Sequence, residues 1–219
     1  MKQTNKSLLC SILTTILFII FTIFVKVVDV KLIPTTATFV GFGTLNLWFH
    51  QLTKENLFLY QLGDWLSIIP LLICVVYALI GCYQLIKRKS IFKFDYNLLI
   101  LGFYYVLLLG VYLLFEVIPV NYRPILINGA LEVSYPSSTT LLVLCIMKTF
   151  AYNIKIYLND KQSKRIIISL TMIYSIFMII IRILSKVHWI TDIIGAILLS
   201  NALYYLYQYF ILIKLNRRN

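Results

Sequence analysis

Arg182, His188 and Asp192 lie within the stretch RILSKVHWITD, and their types and spacing suit phosphoryl chemistry. His188 and Asp192 are four apart. If a helix begins near His188, the two share one face. A carboxylate there accepts one ring N–H and fixes the tautomer, which frees the other nitrogen as base, nucleophile or ligand. Arg182 precedes His188 by six residues. An arginine at a membrane boundary either snorkels to the interface or clamps a phosphate with several donors. A second arginine, Arg123, precedes Pro124, whose ring restricts the backbone beside it. Farther on, Ser137, Ser138 and Thr139 open the apolar run of VSYPSSTTLLVLC, residues 133–145. The bland reading of these hydroxyls is a helix N-cap, and that of His188 is polar trim at a helix start. A capped helix start is also an anion site, because its N–H groups are unpaired and its dipole is favourable. Two arginines, a helix N-terminus and an oriented histidine together predict a phosphate site.

These residues must be positioned by membrane helices. The chain of 219 residues is 61% hydrophobic and 13% charged, more apolar than a soluble domain of this length can hide. Apolar runs of about 18 or more residues read as spans. Six are predicted, at roughly 7–27, 64–86, 96–115, 138–156, 166–184 and 192–213. The first is read as a retained span, since no small-residue cleavage site follows it. The expected fold class is an all-α integral membrane protein of six transmembrane helices and one domain, residues 1–219. An interfacial helical segment is expected within residues 28–63, where Trp48, Phe49, Phe58 and Tyr60 mix with polar residues.

The net charge of +12 raises nucleic acid as a partner, but its distribution points elsewhere. Lys2 and Lys6, Lys87 to Lys93, Lys155 to Arg165, and Lys214 to Arg218 fall in alternate segments, hence on one side. The positive-inside rule makes that side cytoplasmic. Both termini are expected there, and the three polar loops on the outer face. Lys26, Lys31, Lys54, Arg123, Arg182 and Lys186 on that outer face are balanced by Asp29, Glu55, Asp64, Glu116, Glu132 and Asp192. Bilayer and lipid, and no nucleic acid, are the expected partners. Cys10, Cys74, Cys82 and Cys145 fall in apolar spans without metal spacing. With His50 and His188 the only histidines, no metal site is expected.

Arg182, five residues, His188, three residues and Asp192 resembles the third signature of the type 2 phosphatidic acid phosphatase family. Arg123-Pro124 resembles the end of its first signature, and Pro136-Ser137 the start of its second. The resemblance spans roughly residues 64–213. It implies a membrane-bound phosphatase acting on a lipid phosphate or diphosphate at the outer face, without metal or cofactor. His188 would be the nucleophile that forms a phosphohistidine, and Asp192 would orient it. Arg123, Arg182, Ser137 and the groups at Ser138 and Thr139 would bind the phosphoryl oxygens. Two positions depart from the family pattern. Glu116 stands where the family has lysine, and Thr139 where it has the histidine that protonates the leaving group; Ser138 replaces the glycine between. Threonine is no acid near neutral pH, and general acid catalysis contributes about 10²–10⁴-fold. A lipid diphosphate, with its better leaving group, is therefore the expected preference. The alternatives are a binding or transport protein that kept the pocket and lost the chemistry, or a lipid phosphotransferase. Lys148, inside the fourth span, reads as a snorkelling side chain, and His50 as a satisfied interfacial residue.

Overall fold

The computed structural model describes residues 2–52, 55–90 and 93–218, with Arg217 and Arg218 as backbone only. Lys54, counted above among the charges opposite the basic segments, lies outside the described residues.

Among the described residues, six helical segments are long and apolar enough to cross a membrane: Lys2–Val27, Leu57–Arg88, Tyr96–Val117, Ser138–Tyr157, Lys161–Ser185 and Ile190–Asn216. The chain is an all-α, multi-pass membrane protein. Its elements are α1 (Lys2–Val27), β1 (Lys31–Ile33), β2 (Thr38–Val40), α2 (Gly43–Gln51), α3 (Leu57–Leu66), α4 (Ile68–Arg88), α5 (Tyr96–Val117), α6 (Ser138–Tyr157), α7 (Lys161–Ser185) and α8 (Ile190–Arg218). The second span begins seven residues earlier than hydropathy suggested, because α3 runs almost directly into α4 through Ser67. The interfacial segment contains α2 and, unforeseen, a hairpin of two antiparallel three-residue strands pairing Lys31 with Val40 and Ile33 with Thr38.

The helices cohere through polar and small residues, as packing in lipid requires, since apolar side chains gain little by leaving acyl chains for one another. On α1 the buried positions Thr4, Ser11, Phe18 and Val25 recur every seven residues, with Ser7 between them. This stripe meets α8. Ser7 donates to Gln208 at 3.0 Å, Ser11 to the Ala202 carbonyl at 3.0 Å, and Asn216 to Thr4 at 2.8 Å. The central helix is α6, the most buried of the six spans. Lys148 does not snorkel: its Nζ donates to Ser200 at 3.0 Å and Asn201 at 2.7 Å, tying α6 to α8 within the bundle.

Chain direction brings the ends of α1, α5 and α7 and the starts of α6 and α8 to one end of the bundle. The hairpin and α2 pack there too. Asn46 is buried and donates to Thr191 at 3.0 Å and to the Gly41 carbonyl at 2.8 Å. Gly41 is required at that place, because a Cβ would sit 1.8 Å from the Val25 carbonyl oxygen.

Candidate active site

His188 sits in the short link between α7 and α8, and Asp192 in the first turn of α8. Both are buried. The His188 Nδ1 lies 3.6 Å from Asp192 Oδ2, close enough to orient the ring though longer than a hydrogen bond. Free sites often show such distances and tighten only around a ligand. The carboxylate is itself held: Oδ2 accepts the Trp189 N–H at 2.9 Å, and Oδ1 faces the Asn121 amide at 3.4 Å. The Asp192 carbonyl accepts the Ser137 N–H at 3.1 Å. That bond fixes the start of α6 against the start of α8. Burial pushes the His188 imidazole below its ordinary pKa of 6.5. Asp192 opposes this and the positive charges of Arg123 and Arg182 add to it. Burial and the arginines both favour the neutral ring.

Arg182, at the end of α7, is 1% exposed. Its Nη2 contacts the Asp64 carboxylate and donates to the Thr139 hydroxyl at 2.6 Å. Arg123 is also buried, and its Nη2 lies 3.0 Å from Glu132 Oε2. Tyr60 of α3 lies against both guanidinium groups, its ring centre 5.4 Å from Arg123 and 5.1 Å from Arg182. The Nε and Nη1 of both arginines, and the His188 Nδ1, are buried without a protein hydrogen-bond partner. Buried donors seldom stay unsatisfied, since each costs about 1–3 kcal/mol and more for a charged group. Four of these nitrogens belong to the two arginines and can donate to an anion, while His188 Nδ1 is turned to Asp192.

Ser137 occupies the N-cap of α6, but its hydroxyl caps no backbone N–H and instead meets Thr140 Oγ1 at 3.0 Å. The first-turn N–H groups at Ser138 and Thr139 have no acceptor within the helix. Thr139 is thus an anchor for Arg182 as well as a helix-start residue.

The two family departures are accounted for differently. Glu116 is exposed near the end of α5 and lies beside the Tyr112 hydroxyl, while Arg123 takes Glu132. Lys186 is also engaged elsewhere, donating to the Phe49 carbonyl. His50 hydrogen-bonds the Lys186 carbonyl at 3.1 Å, and its ring lies 5.5 Å from that of Trp189. Sequence reasoning overlooked Tyr60, Asp64, Asn121 and Glu132 as parts of the site. The available signal was that Asp64 and Glu132 are two of only eight acids in the chain and belong to the same side as the two arginines.

Among the described residues no group of three or more histidines, cysteines, aspartates and glutamates is placed to hold a metal.

Residues 118–214 match the sequence profile of the PAP2 superfamily. No curated protein matches the chain. Its fold is similar to a solved structure titled as that of the first transmembrane PAP2 type phosphatidylglycerolphosphate phosphatase from Bacillus subtilis, with a TM-score of 0.58 and 16% identity over 91% of this chain and 94% of that one. The segment that carries Arg123, Arg182, His188 and Asp192 is thus similar to the PAP2 superfamily, and the fold of the whole chain is similar to that of a transmembrane PAP2-type protein.

Proposed function

We propose that this protein is a lipid phosphatase whose site hydrolyses a phosphate monoester or diphosphate at the outer membrane face. The observation that carries this reading is the cluster of unpartnered nitrogens on Arg123 and Arg182 around a buried His188 backed by Asp192. The family segment and the similar fold support the phosphatase class.

In the proposed reaction the phosphoryl oxygens bind the two arginines and the N–H groups at the start of α6. Neutral His188 attacks phosphorus through Nε2, and the bond from phosphorus to the leaving oxygen breaks. Asp192 stabilises the positive charge that develops on the ring. The leaving oxygen takes its proton from water, because the Thr139 hydroxyl is no acid near neutral pH. A second water attacks the phosphohistidine and gives its proton to the hydroxide left by the first, the nitrogen–phosphorus bond breaks, and phosphate and the neutral ring are released. A leaving group that needs little protonation is favoured, which ranks a lipid diphosphate above an alkyl phosphate ester.

The lipid tail has a matching surface. Ser138 and Thr139 border a cavity of about 360 Å³ that continues between α4, α5 and α6, lined by Leu71, Leu108 and Ile146. A lipid reaching the site from the bilayer through this cavity never passes its chain through water. The basic ends of the helices, on the far side of the bundle from the site, support an extracytoplasmic site by the positive-inside rule.

The second reading is a site that binds or transfers phosphate without hydrolysing it efficiently. Threonine at position 139 favours it, since that position offers no acid near neutral pH. The deciding experiment is phosphate release by purified protein from a lipid diphosphate, a lipid monophosphate and a soluble ester, beside His188→Ala. Release that disappears in the variant supports hydrolysis. No release above the variant leaves binding or transport, and capture of the phosphoryl group by an added lipid alcohol identifies transfer.

A further inference from the structure

Arg123 and Arg182 come from different parts of the chain, a loop after α5 and the end of α7, yet they are held in the same way. Each uses Nη2 alone on a carboxylate, Glu132 for Arg123 and Asp64 for Arg182. Each leaves Nε and Nη1 buried and without a partner. Each packs on the same Tyr60 ring. Both carboxylate side chains are about half exposed, at 46% for Asp64 and 41% for Glu132, so the acids sit at the rim and the arginines below them. An arginine side chain has many rotamers open to it when free. Fixing one nitrogen removes much of that freedom before a ligand arrives, so less is lost on binding.

We propose that Asp64 and Glu132 are positioning residues, each holding one arginine by Nη2 so that the remaining nitrogens of both are presented to a single phosphoryl group. This rests on the phosphate-site reading above and deepens it. It also assigns a role to α3, which lies outside the family segment. The contact a hold requires is an oxygen acceptor and not a negative charge. The substitutions Asp64→Asn and Glu132→Gln keep that acceptor, whereas alanine removes it. A contrasting idea makes the carboxylates competitors that occupy the anion's seat, and it predicts the opposite sign.

The test measures two quantities on purified protein in detergent: the affinity for orthovanadate and inorganic phosphate by calorimetric titration, and KM and kcat for phosphate release. It uses Asp64→Ala, Asp64→Asn, Glu132→Ala and Glu132→Gln, with thermal unfolding of each. Positioning predicts that each alanine variant weakens anion binding about tenfold, mainly through KM, while Asp64→Asn and Glu132→Gln stay within about threefold of the parent. Tighter binding in the alanine variants would overturn the proposal in favour of competition. Unchanged binding with a lowered melting temperature would overturn it in favour of a purely structural ion pair. If the parent releases no phosphate yet binds the anions in the predicted order, positioning stands and hydrolysis falls. If release is normal and all four variants match the parent, hydrolysis stands and positioning falls. A parent that neither binds nor releases overturns both.

Discussion

At the scale of single residues, the site is a neutral histidine made usable by its surroundings. A buried imidazole whose pKa lies below 6.5 stays unprotonated as the solution is acidified through that value. The acid limb of a kcat/KM profile, which reports the free enzyme, should therefore fall below pH 6.5, and a limb at or above that value would show the ring to be solvated. Asp192→Asn keeps the shape but offers the ring a neutral partner; a loss of up to about 10⁴-fold in kcat is expected, with little change in anion affinity. Thr139 invites the reverse experiment. Thr139→His places an acid at the helix start, and for an alkyl phosphate ester the expected gain is up to about 10²-fold in turnover. The gain should be much smaller for a diphosphate. Comparing the two substrates in one preparation separates acid catalysis from any change in how Arg182 is anchored.

At the scale of elements, the legible part of the sequence was the part governed by local rules. Hydropathy found all six spans, and the spacing of Arg182, His188 and Asp192 drew attention to the link between α7 and α8. What stayed hidden depends on distant contacts. Asp64 read as the marker of a span end, and nothing near it in sequence shows that it meets Arg182, 118 residues away. The β1–β2 hairpin has strands of three residues, too short to show alternation. The packing of α8 was equally hidden. A Cβ at Gly195 would come within 2.5 Å of the Tyr135 ring. That ring cannot step aside, because it lies between Phe18 and Phe115 and is hydrogen-bonded to Thr22 at 2.7 Å. Gly195→Ala should cost about 1–3 kcal/mol of stability and, by shifting the residues just before α6, reduce activity as well. Gly110 on α5 has nothing within 4 Å of its Cβ position, so Gly110→Ala should instead stabilise by about 0.5–1 kcal/mol through helix propensity. Unfolding of the two variants side by side in detergent checks both signs.

At the scale of the whole molecule, the bundle joins a polar end to an apolar flank, and under the proposed function that junction governs which lipids the site accepts. The cavity bordered by Ser138 and Thr139 shares Cys74 and Tyr105 with a second cavity of about 380 Å³, lined lower down by Gly81, Leu98 and Gly102. Along α4 the two together run from Ser67 to Gly81, about 21 Å at 1.5 Å per residue. One leaflet of a bilayer core is about 15 Å deep, so a chain seated here reaches past the midplane. A side chain added at Gly102 meets no atom within 4 Å of its Cβ position, and it fills the lower cavity without approaching Arg182 or His188. Gly102→Trp should therefore spare turnover of substrates with short chains and raise KM for long-chain ones, since only the latter extend that far. Lipid phosphates of graded chain length, assayed on both proteins, read this as a crossover: equal rates at short lengths and a widening gap beyond the depth of the upper cavity. A uniform loss at every length would mean that the tryptophan disturbs the bundle as a whole, and no loss at any length would place the tail outside the groove between α4 and α5.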